Sequence, residues 1–303
     1  MSKATDASKD KPNLADVSAA QRERLCHIDF KLRFMGSVNR NSLVEKFGIK
    51  GAAATRDFNL YQDLAPQNIE YNTKAKTYIQ RESFAPLFKF SSEQVLTALS
   101  YGFGDENADD IHPLILTEAP TQLNLPDTTV LAAIAQAIYK KQTLEIHYRS
   151  MSSGESKRVI VPHTLVNNGL RWHVRAYDRL RNRFSDFVLN RIEPVNPGEI
   201  SDIKEEEKIS SDLQWKHLVE LQLIPHPACL HPKTIEKEYS MKEGLLRIKA
   251  RMAMVGYILR RWNVDCTKDH SLKGDEYHLA LNNLKALEGI ENLKIAPGYK
   301  NCI

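Results

Sequence analysis

The sequence predicts an α+β chain of three modules, on three observations. Helical spacing broken by turn signals fills the first third. Between Thr143 and Ile192 the hydrophobic period switches to two, giving several short strands in about 50 residues, and after residue 200 helix and strand signals mix again. A length of 303 residues allows two or three domains. With 42% hydrophobic and 26% charged residues the composition is that of ordinary globular protein, which excludes collagen-like, mucin-like and wholly disordered chains.

Residues 1–16 are small, polar and charged without periodicity and read as a disordered tail, with structure beginning near Val17. Leu25, Ile28, Leu32 and Met35 recur at three- and four-residue spacing, the stripe of an amphipathic helix that Gly36 is placed to terminate. A short second helix follows: Asn39 or Asn41 caps it, Leu43, Val44 and Phe47 form its apolar side, and Gly48 supplies a left-handed residue past its end. In GAAATRDFNLYQDL, Ala54, Phe58 and Tyr61 share one face at i, i+4 and i+7, so a third helix begins about three residues after the second ends. Pro66 stops it, and two short strands, Ile69–Tyr71 and Lys76–Ile79, flank an Asn-Thr-Lys-Ala turn. Helix, short helix, tight turn, helix and hairpin is the layout of a winged helix-turn-helix, assigned to residues 17–90.

Residues 91–139 read as a helical linker. Ser91 or Ser92 caps SSEQVLTALSYGF, with Glu93 in its first turn; an acidic, Pro-containing stretch from Asp105 to Asp127 comes next, and the apolar helix TTVLAAIAQAIYKK closes the segment. Residues 140–195 read as a small β-barrel. TLEIHYR alternates Leu144, Ile146 and Tyr148 against Glu145, His147 and Arg149, and KRVIVP, LRWHVRAY and FSDFVL continue as strands between turns. Residues 196–303 form a small α+β module: an acidic connector (DIKEEEK), a strand LVELQLI, a helix after Pro232, a strand GLLRIKARM and a helix through VGYILRRW.

The net charge of +4 hides a partition. Residues 1–100 carry 15 basic and 11 acidic side chains, 101–139 carry 0 and 6, 140–192 carry 11 and 4, and 193–303 carry 16 and 17. Two basic blocks thus flank an acidic one. In the first, Thr55, Arg56 and Asn59 lie off the apolar face of the third helix, and Arg and Asn suit bidentate contacts to guanine and adenine in the major groove. Lys50, Lys74 and Lys76 would reach phosphates from the turn and the wing of double-stranded DNA. The competing reading is an interaction module in which Arg56 pairs with Asp57 or Asp63. In the second block, Trp172, Val174 and Ala176 share one face of a strand, with Trp172 and Val174 assigned to the core. Arg171, His173, Arg175 and Tyr177 share the other, an exposed cationic and aromatic strip that Arg158, Arg183, Arg191 and His163 extend into an anion-binding patch. The alternative there is a solvated surface whose arginines pair with Glu145, Glu155 and Asp186.

The stretch IHYRS…RVIVPHTLVNNGLRWHVRAYD…RFSDFVLNRI resembles a WYL domain, a ligand-sensing Sm-like β-barrel of bacterial transcription regulators. Trp172-His173-Val174 stands where the name-giving Trp-Tyr-Leu would be: the first position matches, and His and Val replace the others. Downstream, LVELQLIPHPACLHPKTIEKEYSMKEGLLRIKARMAMVGYILRRW is similar to the C-terminal dimerisation extension of WYL repressors that accompany BREX and CBASS phage-defence islands. Upstream, ATRDFNLYQDLAPQNIEYNTKAKTYI resembles the recognition helix and wing of the same group. The resemblance spans roughly residues 17–300. It implies a homodimeric repressor of a phage-defence operon that binds an inverted-repeat operator and is relieved by a nucleic-acid or nucleotide effector. The matching ligand positions are Tyr148, Ser150, His163, Trp172, His173, Arg175, Arg183 and Arg191.

No GxxxxGKS/T, HExxH or GxSxG motif is present, and Gly102 and Gly104 lack the third glycine of a dinucleotide fingerprint, so no catalytic residue, cofactor or metal is expected. Asp109, Asp110 and His112 read as a solvated loop, and His226 and His231 as capping or packing residues. Cys26, Cys229, Cys266 and Cys302 are far apart with no CxxC pair, as expected of reduced thiols. With no signal-peptide core and no run near 20 apolar residues, the expected location is cytoplasmic, away from membranes. An activator of the same architecture and a nucleic-acid-processing enzyme are the rival readings.

Overall fold

The computed structural model describes residues 13–101, 114–118, 123–193 and 202–299. Residues 1–12 of the expected tail, and Gly102, Gly104, Asp109, Asp110 and His112 of the connector, lie outside them. The chain divides into two compact units, Met1–Pro120 and Thr121–Ile303.

In the first unit, order begins before Val17. Asn13 caps a 3-10 turn, Leu14–Asp16, and Leu14 and Val17 pack against the core. Helix α1 (Ala19–Met35) starts at Ser18, whose hydroxyl accepts from the Gln21 N–H, and ends at Gly36, which takes a φ of 74° while its N–H returns to Leu32 O. Strand β1 (Ser37–Val38) leads to α2 (Arg40–Phe47), capped by Asn39 through the Ser42 N–H at 2.9 Å. Helix α3 (Gly51–Leu64) then buries Ala54, Phe58 and Tyr61 against Leu25, Ile28, Leu32 and Leu43. The wing is β2 (Ile69–Asn72) and β3 (Thr77–Gln80), and β1 joins it to make a sheet of order β1-β3-β2. Two residues are too few to show a period, so β1 escapes sequence analysis. Helix α4 (Ser92–Tyr101) opens with a reciprocal cap: Ser91 Oγ accepts from Gln94 N at 3.2 Å and Gln94 Oε1 accepts from Ser91 N at 3.0 Å.

Beneath α3 lies a buried polar knot. The Asp29 carboxylate accepts from the Tyr61 hydroxyl at 2.5 Å and from the backbone N–H groups of Leu87 and Phe88 at 3.1 and 3.2 Å. Burial pushes the Asp29 carboxyl above its ordinary range despite these donors. The knot fixes α1, α3 and the segment after the wing in one orientation, because each donor would otherwise be buried without a partner.

The second unit starts with α5 (Thr128–Lys140), capped by Asp127. It continues through β4 (Leu144–Ser150), β5 (Gly154–Asn167), β6 (Trp172–Asp178), β7 (Arg183–Val188) and β8 (Ile192–Glu193), an antiparallel sheet of order β7-β6-β5-β4-β8. Tyr148 on β4 and Phe187 on β7 are not neighbours in that order, yet their ring centroids are 5.0 Å apart, so the sheet curls on itself as a small barrel. Val130, Ile134 and Ala137 of α5 enter the barrel core beside Leu144, Ile146 and Val174. The helix that sequence analysis places in the 91–139 linker is therefore part of the barrel's packing. The register of β5 against β6 shifts between Pro162 and Thr164, leaving His163 as a bulge.

A 3-10 turn, Glu205–Glu207, and α6 (Leu213–Lys216) connect the barrel to the last module. That module comprises β9 (Leu218–Pro225), α7 (Pro232–Glu238), β10 (Leu246–Arg251), α8 (Met252–Arg261) and β11 (Leu279–Leu281), with sheet order β10-β9-β11. Its own core gathers Leu221, Leu223, Val255, Leu259, Leu279 and Leu281. His226 is buried there, bonded to Asp265 at 3.1 Å through Nε2 and accepting from Ala228 N through Nδ1, a packing role.

Candidate DNA interface and ligand site

The first site is the outer side of α3 with the wing. Because the helix buries positions 54, 58 and 61, Arg56 and Asn59 are left exposed on the opposite side, and Thr55 is half-buried with its hydroxyl donating to Gly51 O at 3.0 Å. Asp57 does not pair with Arg56. It is buried and accepts from Arg24 Nε at 2.6 Å and Gln21 Nε2 at 2.9 Å, both on α1. Among the described residues, Arg56 forms no ion pair. Lys50 is exposed at the α3 N-cap, and Lys74 and Lys76 are exposed at the wing tip, where Asn72 Oδ1 accepts the N–H groups of Lys74 and Ala75 at 3.0 Å each. Lys76 itself takes a φ of 51°. All six residues proposed for DNA contact therefore lie on the helix and turns of one unit, and the five other than Thr55 are exposed.

The second site departs from expectation. The face of β6 that carries His173 and Arg175 is not an exposed strip: the two are 5% and 4% exposed. The connector before β9 and helix α8 of the C-terminal module cover it. Arg175 donates to Asp212 through Nε at 2.6 Å and Nη2 at 2.8 Å, and through Nη1 to Asp186 at 3.1 Å. His163 on the bulge reaches the same Asp212 at 3.2 Å, and Tyr257 of α8 donates to Asp186 at 2.8 Å. His173 packs against the Tyr257 ring, 5.4 Å between centroids. Burial alone would raise the Asp212 carboxyl, but the bonds from His163 and Arg175 and the Arg175 charge outweigh it and hold Asp212 at about 2.

The remaining positions are dispersed. Trp172, assigned to the core on periodicity, is 37% exposed at the start of β6, whereas Val174 is fully buried. Arg158 is also buried rather than part of an open patch: it pairs with Asp178 inside the barrel, over the rings of Tyr148 and Phe187. Tyr148 is buried, its hydroxyl accepting from Val188 N at 3.3 Å. Ser150 bonds within its turn to Ser152, and Arg191 Nη2 lies 3.0 Å from Met151 Sδ. Arg175 and Arg183 share a cleft. It is about 260 Å³ in volume and is also lined by Arg181, Asp186, Tyr257 and Lys294. Among the described residues no group of three or more His, Cys, Asp or Glu side chains is placed to hold a metal, and no helix is long and apolar enough to cross a membrane.

Family models match the modules in chain order: the BrxR transcriptional regulator winged helix-turn-helix domain over residues 20–100, the WYL domain over 129–197 and the BrxR C-terminal dimerization domain over 218–287. The DNA-binding transcriptional repressor CapW of Escherichia coli strain KTE188 is 34% identical over 278 residues, covering 87% of this chain and 89% of that protein. The chain belongs to the BrxR/CapW family of WYL-domain transcriptional regulators. CapW of Pseudomonas aeruginosa is 32% identical over 277 residues, covering 87% and 90% of the two chains, and CapW of Stenotrophomonas maltophilia 31% over 260, covering 82% and 85%. These relatives are regulators, not enzymes. Among solved structures, the proteasome accessory factor PafBC of Arthrobacter aurescens aligns over 89% of this chain and 46% of that one at 17% identity, with a TM-score of 0.29.

The WYL match begins at residue 129, so it takes in α5, in keeping with that helix's place in the barrel core. Sequence reasoning missed the residues that close on the WYL domain from the connector and the C-terminal module: Asp212, Tyr257 and the Glu207 carboxylate that grips Arg179 at 2.6 and 2.7 Å. Asp212 left one local trace, as an N-cap residue before the short helix α6, where it accepts from Trp215 N at 3.1 Å.

Proposed function

We propose that this chain is a homodimeric, sequence-specific DNA-binding transcriptional repressor of a phage-defence operon, acting in the cytoplasm and relieved when a nucleic-acid or nucleotide ligand occupies the WYL domain. The observation that carries the reading is the 34% identity to the E. coli CapW repressor, which extends over 278 residues and so includes all three modules. The exposed Arg56 and Asn59 on α3 and the lysines of the wing supply a groove-reading helix and phosphate anchors. The match to a dimerization domain at 218–287 supports a two-fold dimer, whose winged helices would read inverted half-sites about 10 base pairs, or a multiple of that, apart. Repression is favoured over activation because the relatives are repressors by name. Relief is a population shift: a ligand preferring the geometry that mismatches the half-site spacing, with a coupling of about 1–3 kcal/mol, lowers operator affinity 5- to 150-fold.

A mobility-shift titration of the full-length chain on its own promoter fragment, against a scrambled fragment, tests the reading together with a reporter assayed with and without the gene. Operator affinity at least 10³-fold above the scrambled fragment is expected, with reporter output rising when the gene is removed. Equal affinity for both fragments would refute sequence-specific binding. A fall in reporter output would make the protein an activator, and cleavage of the DNA when Mg²⁺ is added would favour an enzyme.

A further inference from the structure

We propose that the cleft between β7 and the 3-10 turn Leu293–Ile295 binds a phosphate-bearing ligand, held jointly by Arg181 and Arg183 of the WYL domain and Lys294 of the C-terminal module. The inference deepens the ligand-relief reading and rests on it: it makes the effector site a composite of two modules and assigns it a chemistry.

The first argument is charge. Arg175 is already committed to Asp212 and Asp186, and Asp186 is in turn satisfied by Arg175 and the Tyr257 hydroxyl. Removing that closed set leaves Arg181, Arg183 and Lys294 facing the cleft against the single carboxylate of Glu291. All three cations are exposed, and among the described residues Arg183 and Lys294 form no ion pair. Three cations around one concavity repel one another unless an anion enters, and two guanidinium forks match a phosphoryl group better than they match a lone carboxylate.

The second argument is rigidity and size. Arg181 and Arg183 flank Asn182, whose φ of 50° makes the tight β6–β7 hairpin, and Arg181 is steadied by Ser153 Oγ at 3.2 Å. On the opposite wall Asn292 is fixed by Ala253 O at 2.7 Å and the Gly256 N–H at 3.0 Å, and Gln214 by Gly289 O at 2.7 Å. These amides are spent on backbone and serve as walls that place Lys294. The volume of about 260 Å³ suits a phosphate with its sugar, such as the 5′ end of a strand or a mononucleotide. A ligand bridging Arg183 and Lys294 touches both sides of the junction held by Asp212 and Asp186, so its binding energy acts directly on how the two modules meet.

The test uses the full-length protein and two thymidine tetranucleotides, one 5′-phosphorylated and one with a 5′ hydroxyl, with thymidine 5′-monophosphate and inorganic pyrophosphate as further arms, all read by calorimetric titration. The phosphorylated tetramer is expected to bind at least ten-fold more tightly than the hydroxyl form. Lys294→Ala and Arg183→Ala should each weaken it about ten-fold, and Lys294→Arg should restore it. Tighter binding of the tetramer than of the mononucleotide would identify a strand end, and the reverse a free nucleotide. Equal binding of both tetramers, no binding of any probe, or wild-type affinity in Lys294→Ala overturns the proposal. Operator affinity is measured separately by mobility shift. Phosphate-selective binding without operator binding defeats the repressor reading and leaves the site standing, whereas operator binding with an inert Lys294 does the opposite.

Discussion

Replacing Asp212 by Asn should cost about 3–5 kcal/mol of unfolding free energy, the usual result of stripping one partner from a buried ion pair. The Asp212 side chain is 1% exposed and takes both Nε and Nη2 of Arg175, at 2.6 and 2.8 Å, plus His163 at 3.2 Å. Asn keeps an oxygen for the Trp215 N–H cap but loses the charge and points an amide donor at a guanidinium that is itself buried. Arg175 is then left with Asp186 alone. Arg175→Met should cost a similar amount by stranding the carboxylate, and the double variant should lose less than the two singles combined, because it leaves neither charge alone. Acid adds a second reading. The Asp212 carboxyl sits at about 2 against an ordinary 3.8, so its contribution is complete above pH 3.8 and is lost as pH falls through about 2. A difference of that size is worth about 2 kcal/mol, and the Asn variant should lack that share of the acid-induced loss. Urea unfolding of the full-length protein, followed by circular dichroism and tryptophan fluorescence at pH 7 and between pH 4 and 2, measures both. A loss below about 1 kcal/mol for Asp212→Asn, or single losses that sum to the double within about 0.5 kcal/mol, would refute the claim that these residues clamp the two modules as one unit.

Other expectations follow from the same contacts. Arg56→Ala should weaken operator binding by about 1–3 kcal/mol and relax specificity at one base position, while Lys74→Ala should weaken all sequences alike and reduce the salt slope by about 1, both read by mobility shift over a range of salt. Because Lys76 has a φ of 51°, Lys76→Asn is the matching wing substitution there: it removes the charge with little backbone strain and should behave like Lys74→Ala. Asp29→Ala should cost about 2–4 kcal/mol in urea, since it leaves the Tyr61 O–H and the N–H groups of Leu87 and Phe88 without their acceptor, although the Tyr61 oxygen still accepts from Asn68; a loss under about 1 kcal/mol would show that water replaces the carboxylate. Gly256→Ala should cost about 1–3 kcal/mol, because a Cβ there would sit 2.4 Å from the Asn292 carbonyl oxygen, and an unchanged urea midpoint would mean that the 291–295 segment yields freely.

Most of the first unit was legible in the sequence. Gly36 and Gly48 end their helices in left-handed conformations, Asn39 caps α2, and the apolar triplet of α3 is buried. Those signals act within one helical turn, so a window of a few residues contains them. The two-residue strand β1 and the three-residue β11 were not legible, because pairing with β3 and β9 creates them and no internal pattern announces them. The six positions proposed for DNA contact follow from the helix phase and the hairpin alone. The proposed ligand positions needed more, because whether the His173 and Arg175 face of β6 is open or covered depends on residues distant in the chain.

By itself the sequence determined which residues of β6 share a face. Alternation places His173 with Arg175 and Val174 with Ala176 whatever surrounds the strand. It also carried the family resemblance through all three modules. Only the tertiary structure decided what lies against each face. Arg175 looks like a surface cation until Asp212, 37 residues further along, folds over it, and the helix α5 looks like a linker until the barrel closes on Val130 and Ile134. Periodicity is local and distinguishes two sides, but which side loses its water depends on a partner whose distance along the chain no local pattern encodes.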